Sequence, residues 1–301
     1  MEFRINSLWR DDKAYLPTPL SNQYIDKLEE INMLEHAKSY VRKEDKEGAV
    51  GGVSIEETHQ HFAERFSNSC IRLQYVLIDP SMKFGNVPDN FYSTFIKGNV
   101  ALLDSPCGTG AAALSLLFTL RELRFTGDLP ILPLNVSILA ADYSDTALIM
   151  YEEMLNKAIP QFNEVGIFVS VTLKQWNAFE AKSTQFLMDE FRKFEAEEYF
   201  VLISAFSGID KEDLEKLSNS IRQMQCCLST VPFTMVHVEP ETKKGNNFFK
   251  NIKEIFLSIF STERNIFEFK PKERFEWLDP VNSRVVKSSV MVSLNSRDEI
   301  K

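Results

Sequence analysis

From Val100 onward, short apolar runs alternate with stretches whose apolar positions recur every three to four residues. The runs Val100–Asp104, Asn135–Asp142, Ile167–Leu173, Tyr199–Ala205 and Thr234–Val238 read as strands, the first of them buried. Helical patterns follow them, ending near Arg124 after the first and spanning Asp145–Lys157, Ala181–Glu197, Lys211–Met224 and Asn246–Phe260 after the others. Such alternation predicts an α/β fold with a mainly parallel sheet. Asn265–Phe269 and Ser288–Leu294 are strand-like with no helix between them, so a closing antiparallel hairpin is expected.

The first hundred residues follow a different pattern. After an irregular start, Ser21 is placed to cap a helix carrying Ile25, Leu28, Ile31, Leu34 and Ala37 on one face. The stretch Gly48–Gly52 breaks it. A second helix is expected from Ser54, with Glu57 as its capping-box partner, through Phe62, Phe66 and Ile71 towards Leu77. A short helix over Asn90–Lys97 precedes the first strand. The division expected is a helical region over 1–98, on the lid or substrate side, and an α/β domain over 99–301.

Composition narrows the function classes. Of 301 residues 44% are hydrophobic and 26% charged, a soluble globular balance. No apolar stretch approaches the roughly 20 residues needed to span a bilayer, and Met1–Pro17 lacks a secretory apolar region. A cytoplasmic protein without a membrane partner is expected. Net charge is −9, which disfavours nucleic acid because such surfaces draw their affinity from Lys and Arg. The four cysteines (Cys70, Cys107 and adjacent Cys226 and Cys227) suit neither a disulfide framework nor a zinc site, and the last two are expected as buried thiols in an apolar strand.

The chemistry concentrates at Val100–Leu117, VALLDSPCGTGAAALSLL. A buried strand ends at Asp104, passes through Ser105-Pro106-Cys107-Gly108-Thr109-Gly110, and enters an alanine-rich helix. Glycines let a ligand approach the backbone, and a helix start aims free amides at it. The run resembles the first motif of class I, Rossmann-like S-adenosylmethionine-dependent methyltransferases. That resemblance covers about Val100–Leu294 and implies a seven-stranded, mainly parallel sheet with S-adenosylmethionine as cofactor. It also implies that Gly108 and Gly110 admit the methionine and ribose portions, with Asp104 acting through the amino group or bound water.

Other strand ends complete the expected site. Asp142, before Tyr143 and Ser144, is placed to accept both ribose hydroxyls. The interval from Asp104 to Asp142 is nearly twice the ~20 residues typical between such positions, the excess lying in Phe125–Leu134. Trp176, Asn177 and Ala178 are candidates for the adenine, although a core tryptophan followed by a helix cap explains the same residues. Ser204 and Phe206 end the fourth strand, where this class holds the residues nearest the transferred methyl, and His237 in the fifth could reach the substrate. No general base and no metal-binding pattern is evident. The expected activity is methyl transfer to an unidentified acceptor, a protein or small molecule rather than nucleic acid. The alternative is a catalytically silent protein of the same fold that acts as a cofactor-binding or protein-interaction subunit; a dehydrogenase stands third.

Overall fold

The computed structural model describes residues 6–40, 54–204, 211–240, 250, 254 and 265–297. Its sheet contains, in chain order, β1 (Trp9–Arg10), β2 (Lys13–Ala14), β3 (Gly98–Asp104), β4 (Leu134–Asp142), β5 (Ile167–Gln175), β6 (Glu198–Ser204), β7 (Phe233–Glu239), β8 (Asn265–Leu278) and β9 (Val285–Arg297). The spatial order is β1-β2-β8-β9-β7-β6-β3-β4-β5. Strands β3 to β7 pair in parallel, whereas β9 runs antiparallel between β7 and β8. Among the described residues nine strands replace the expected seven: Trp9–Ala14, within the start read as irregular, fold as a small hairpin onto β8 through β2.

The helices are α1 (Thr18–Glu30), α2 (Leu34–Ser39), α3 (Ile55–Ile78), α4 (Val87–Phe95), α5 (Ala111–Phe125), α6 (Asp145–Asn163), α7 (Ala181–Phe191) and α8 (Lys211–Leu228). The single helix expected from Ser21 is two. It begins earlier, with Pro19 in its first turn, and breaks at Asn32, whose φ of 57° no continuing helix tolerates. Helix α6 runs beyond the expected Lys157 because Pro160 lies in its last turns, where only one backbone bond is lost. Helix α7 stops at Phe191, short of the expected Glu197. There the chain is drawn into β6 by the Glu197 amide on the Asn99 carbonyl (2.9 Å) and by the Tyr199 hydroxyl on the Phe194 carbonyl (2.7 Å). Helix α8 carries Cys226 and Cys227 at its end, the first exposed and the second half-buried, which corrects their assignment to a buried strand. The expected helix Asn246–Phe260 and the break at Gly48–Gly52 lie outside the described residues, apart from Lys250 and Glu254, both helical.

Helix α5 is apolar on nearly every side and buried accordingly. Small residues at its start let α3 cross closely: the Ser115 hydroxyl donates to the Cys70 carbonyl (2.6 Å), and the Cys70 thiol to the Ala111 carbonyl (3.3 Å). Helix α3 has the expected capping box, with Ser54 and Glu57 satisfying each other's amides at 3.1 Å. Its far end packs on the β8–β9 hairpin, with Tyr75 stacked on Phe275 at 4.1 Å and Asn68 accepting from Ser288 at 2.6 Å. One apolar cluster runs from Leu8 and Leu20 through Phe62, Phe118 and Leu202 to Leu294, so the N-terminal helices share a core with the sheet.

The amino edge of the sheet is clamped by one side chain. Arg124, 2% exposed, donates through Nη1 to the carbonyls of Leu132 (2.7 Å) and Val165 (2.9 Å), and through Nη2 to that of Ile96 (2.9 Å). These carbonyls precede β4, β5 and β3, so one guanidinium ties the entrances of three parallel strands together. It also pins the long Phe125–Leu134 connection. Removing it leaves buried carbonyls unpaired, at ~1–3 kcal/mol for each group. Arg124→Leu is therefore expected to lower unfolding free energy by about 3 kcal/mol or more in chemical denaturation, with Arg124→Lys recovering part. A loss below about 1 kcal/mol would count against the clamp.

Candidate functional site

At the carboxyl edge, β3 turns into α5 through residues 105–110. The Ser105 amide continues the ladder by donating to the Leu202 carbonyl of β6 (3.1 Å), and the Cys107 amide donates to the Ala141 carbonyl of β4 (2.9 Å). The turn is thereby stitched to both neighbours of β3. Its two glycines serve different purposes. Gly110 has φ 89°, and an added Cβ would lie 2.9 Å from Tyr151 Cδ2 on α6, so close packing requires glycine there. Gly108 has φ 50°, and a Cβ there would meet nothing within 4 Å. The open side of the turn is thus at Gly108, while Gly110 is backed by an aromatic ring.

Asp142, ending β4, reaches across to this turn. Its Oδ2 accepts from the Gly108 amide at 2.8 Å and its Oδ1 from the Ser144 amide at 3.0 Å. Burial pushes its carboxyl above the usual range, against the pull of the Ser144, Gly108 and Tyr143 amides towards the charged form. Ser144 also caps α6, accepting from the Ala147 amide at 3.3 Å, and its hydroxyl lies 3.5 Å from Thr58 on α3. Tyr143 is 55% exposed beside it. The N-terminus of α3 therefore stands next to the Asp142 end of the site.

Asp104 is fully buried, and neither carboxyl oxygen has a partner at normal hydrogen-bond geometry. Burial holds its carboxyl well above the ordinary range, and Asp142 adds repulsion; the Ala113 amide and Tyr151 hydroxyl favour the charged form from longer range. The Cys107 thiol is likewise pushed up by burial and by both carboxylates, which leaves it a packing group rather than a nucleophile. Ser105 and Thr109 are buried, and Pro106 is half-buried at the rim.

The other candidates are placed differently. Trp176 is buried among Met188, Phe191 and Leu187 of α7, and its indole donates to Thr184 Oγ1 at 3.1 Å. Asn177 forms the turn before α7: its side-chain Oδ1 accepts from the Phe179 amide (3.0 Å), and its side-chain Nδ2 donates to Glu180 Oε1 (2.8 Å). The Ala178 carbonyl accepts from Ser220 (2.6 Å). His237 is buried in β7 near Ser293 Oγ (3.3 Å), and burial depresses it to about 3, so it is neutral at physiological pH. Ser204 ends β6 and helps line a crevice with Ser69 and Arg72 of α3, Ala112 of α5, Leu202 and Val238. Phe206 lies outside the described residues. Sequence reasoning missed Tyr151, the aromatic that fills the space behind Gly110 and faces Asp104. Its place on the buried stripe of α6 with Ala147, Met154 and Leu155 was the available signal.

From β3 onward the strand order is β5-β4-β3-β6-β7-β9-β8, with one antiparallel strand inserted before the last and the glycine turn on the central strand. This is the seven-stranded, mainly parallel arrangement that the resemblance of the glycine turn implies. No protein-family model and no curated protein matches the sequence. Among solved structures, an rRNA methyltransferase from Streptomyces viridochromogenes aligns at 11% identity and a TM-score of 0.35, covering 68% of this chain and 80% of its own. An antibiotic-related methyltransferase aligns at 12% identity and a TM-score of 0.31, over 69% and 92%. A structure bearing on the conversion of a disulfide bond into a thioacetal group in echinomycin biosynthesis aligns at 13% identity and 0.34, over 67% and 77%. With likeness at this level, the functional reading rests on the chain's own strand order and side chains. No helix among the described residues is long and apolar enough to cross a membrane.

Two stability measurements follow. Gly110→Ala combines left-handed strain with a clash and is expected to cost about 2–4 kcal/mol, whereas Gly108→Ala incurs only the ~1–2 kcal/mol of backbone strain. Equal costs would contradict the different surroundings of the two glycines. For Asp104, the folded state holds its proton more tightly than the unfolded chain, so its contribution to stability falls as pH rises above the ordinary Asp range. Asp104→Asn is expected to match the parent in acid and to melt progressively higher than it towards neutral pH. A difference independent of pH would refute a raised Asp104.

Proposed function

We propose that the chain binds S-adenosylmethionine at the carboxyl edge of its sheet and transfers the sulfonium methyl to an acceptor approaching over the end of β6. The observation that carries this reading is the Asp142–Gly108 contact beside the open side of the turn. The Gly108 and Ser144 amides hold one Asp142 oxygen each, the Tyr143 amide also acts on the carboxylate, and acceptor capacity remains for a ribose hydroxyl. Gly108 leaves room for the ligand backbone, and the first amides of α5, which have no intrahelical acceptor, suit its carboxylate. Bound there, the cofactor supplies an electrophilic methyl group. The protein's part is alignment and exclusion of water, for which no strong acid or base is required. Ser204 and the crevice beside it lie where the acceptor would enter. With a net charge of −9, a protein or small molecule is a better acceptor than nucleic acid.

One observation favours a catalytically silent cofactor-binding or interaction subunit instead. Trp176 and Asn177 are committed to the core and to the turn before α7, so the adenine edge is served by fewer groups than the sequence suggested. Turnover separates the two readings, since both include cofactor binding.

Calorimetric titration with S-adenosylmethionine, S-adenosylhomocysteine and NAD tests the proposal. The first two are expected to bind in the micromolar range and NAD not to bind. Asp142→Ala is expected to weaken S-adenosylmethionine at least about tenfold, the effect of losing ~1.4 kcal/mol of charged hydrogen bonding. Gly108→Ala, which fills the open side, is expected to weaken it while the protein stays folded. Binding of NAD alone, or unchanged affinity in both variants, would overturn the assignment.

A further inference from the structure

Behind the glycine turn, buried polar groups gather that the proposed contacts of Asp142, Gly108 and the first amides of α5 do not use. Asp104 contributes a fully buried carboxyl from β3 whose two oxygens lack normal hydrogen bonds, and Tyr151 of α6 faces it with a buried hydroxyl in the same condition. The Cys107 thiol of the turn and the Ala113 amide of α5 complete the surroundings, and Asp142 at the end of β4 is the charged group that acts on it. On α3, the nearby Cys70 thiol is turned to the Ala111 carbonyl. No cation acts on Asp104 among the described residues. A carboxylate in such a place lacks the counter-charge that a buried ion needs. The ligand proposed above brings a net positive charge, that of its sulfonium, to the other side of the same turn, its ammonium being balanced by its own carboxylate.

We propose that Asp104 is protonated in the free protein and ionises when the cofactor binds, so that cofactor binding is coupled to release of a proton. The inference rests on the proposed cofactor. The O–H bond of the Asp104 carboxyl breaks, its electron pair stays on the carboxylate, and the proton passes to solvent buffer. The incoming cation supplies the electrostatic compensation, so no other reactant is needed. Asp104 acts here as a positioning and charge-reading group behind the turn. The site therefore discriminates by charge: S-adenosylmethionine, net positive through its sulfonium, releases more proton than S-adenosylhomocysteine, whose ammonium is balanced by its own carboxylate. Affinity for the first also rises more steeply with pH.

The experiment is calorimetric titration with both ligands in buffers of different ionisation enthalpy, repeated from mildly acidic to mildly alkaline pH. The dependence of heat on buffer counts the protons. The expected result is release of up to about one proton per S-adenosylmethionine, less for S-adenosylhomocysteine, and none in Asp104→Asn. Should Asp104→Asn fail to fold, the pH dependence of the parent's dissociation constant gives the same count independently. Binding without proton release, equal release by both ligands, or release that survives Asp104→Asn overturns the coupling alone. Absence of binding by either ligand overturns the cofactor assignment with it.

Discussion

The hydrogen bond from the Gly108 amide to Asp142 is the contact on which the organisation of the site depends. It joins the first turn of the α/β unit to the end of the second strand, and the adjoining Cys107–Ala141 bond repeats the connection on the backbone. With the turn fixed, the start of α5 is fixed, and with α5 the two elements packed on it. Helix α3 crosses it through Cys70 and Ser115, and α6 closes the space behind Gly110 with Tyr151. Displacing the turn would disturb all three helices together, which is why a polar, glycine-rich loop sits among fully buried elements.

The two edges of the sheet use opposite solutions to unpaired polar groups. At the amino edge, Arg124 gathers carbonyls from three strand entrances. At the carboxyl edge, Asp142 keeps lone pairs in reserve, Gly108 has open space, and Asp104 is buried without full satisfaction. Stability is concentrated at one edge and unspent polar capacity at the other. The carboxyl ends of the strands are where open parallel sheets place their ligands.

Much of this architecture was legible in the chain. The strands β3 to β7 are apolar runs bounded by turn residues, and the capping box of Ser54 and Glu57 marked the start of α3 within a residue. The glycine turn and Asp142 were visible because few arrangements need that run of residue types after a buried strand. What escaped reading depended on partners distant in sequence. Nothing local tells that Arg124 meets Ile96 and Val165, that Tyr151 fills the space behind Gly110, or that Lys13 and Ala14 pair with Glu276 and Trp277. Asn32 broke an otherwise regular amphipathic pattern through a single backbone angle. Trp176 showed the limit from the other side: an aromatic at a strand end fits a base-stacking role and a core role equally, and only its contacts with α7 tell where it lies.

A crystal structure with S-adenosylhomocysteine bound tests the central claim most directly. The account predicts ribose hydroxyls on Asp142, the ligand backbone against Gly108, and the amino-acid carboxylate at the amides that begin α5. Ligand density elsewhere on the molecule, or a turn closed over Gly108 with Asp142 still facing only the protein, would contradict it.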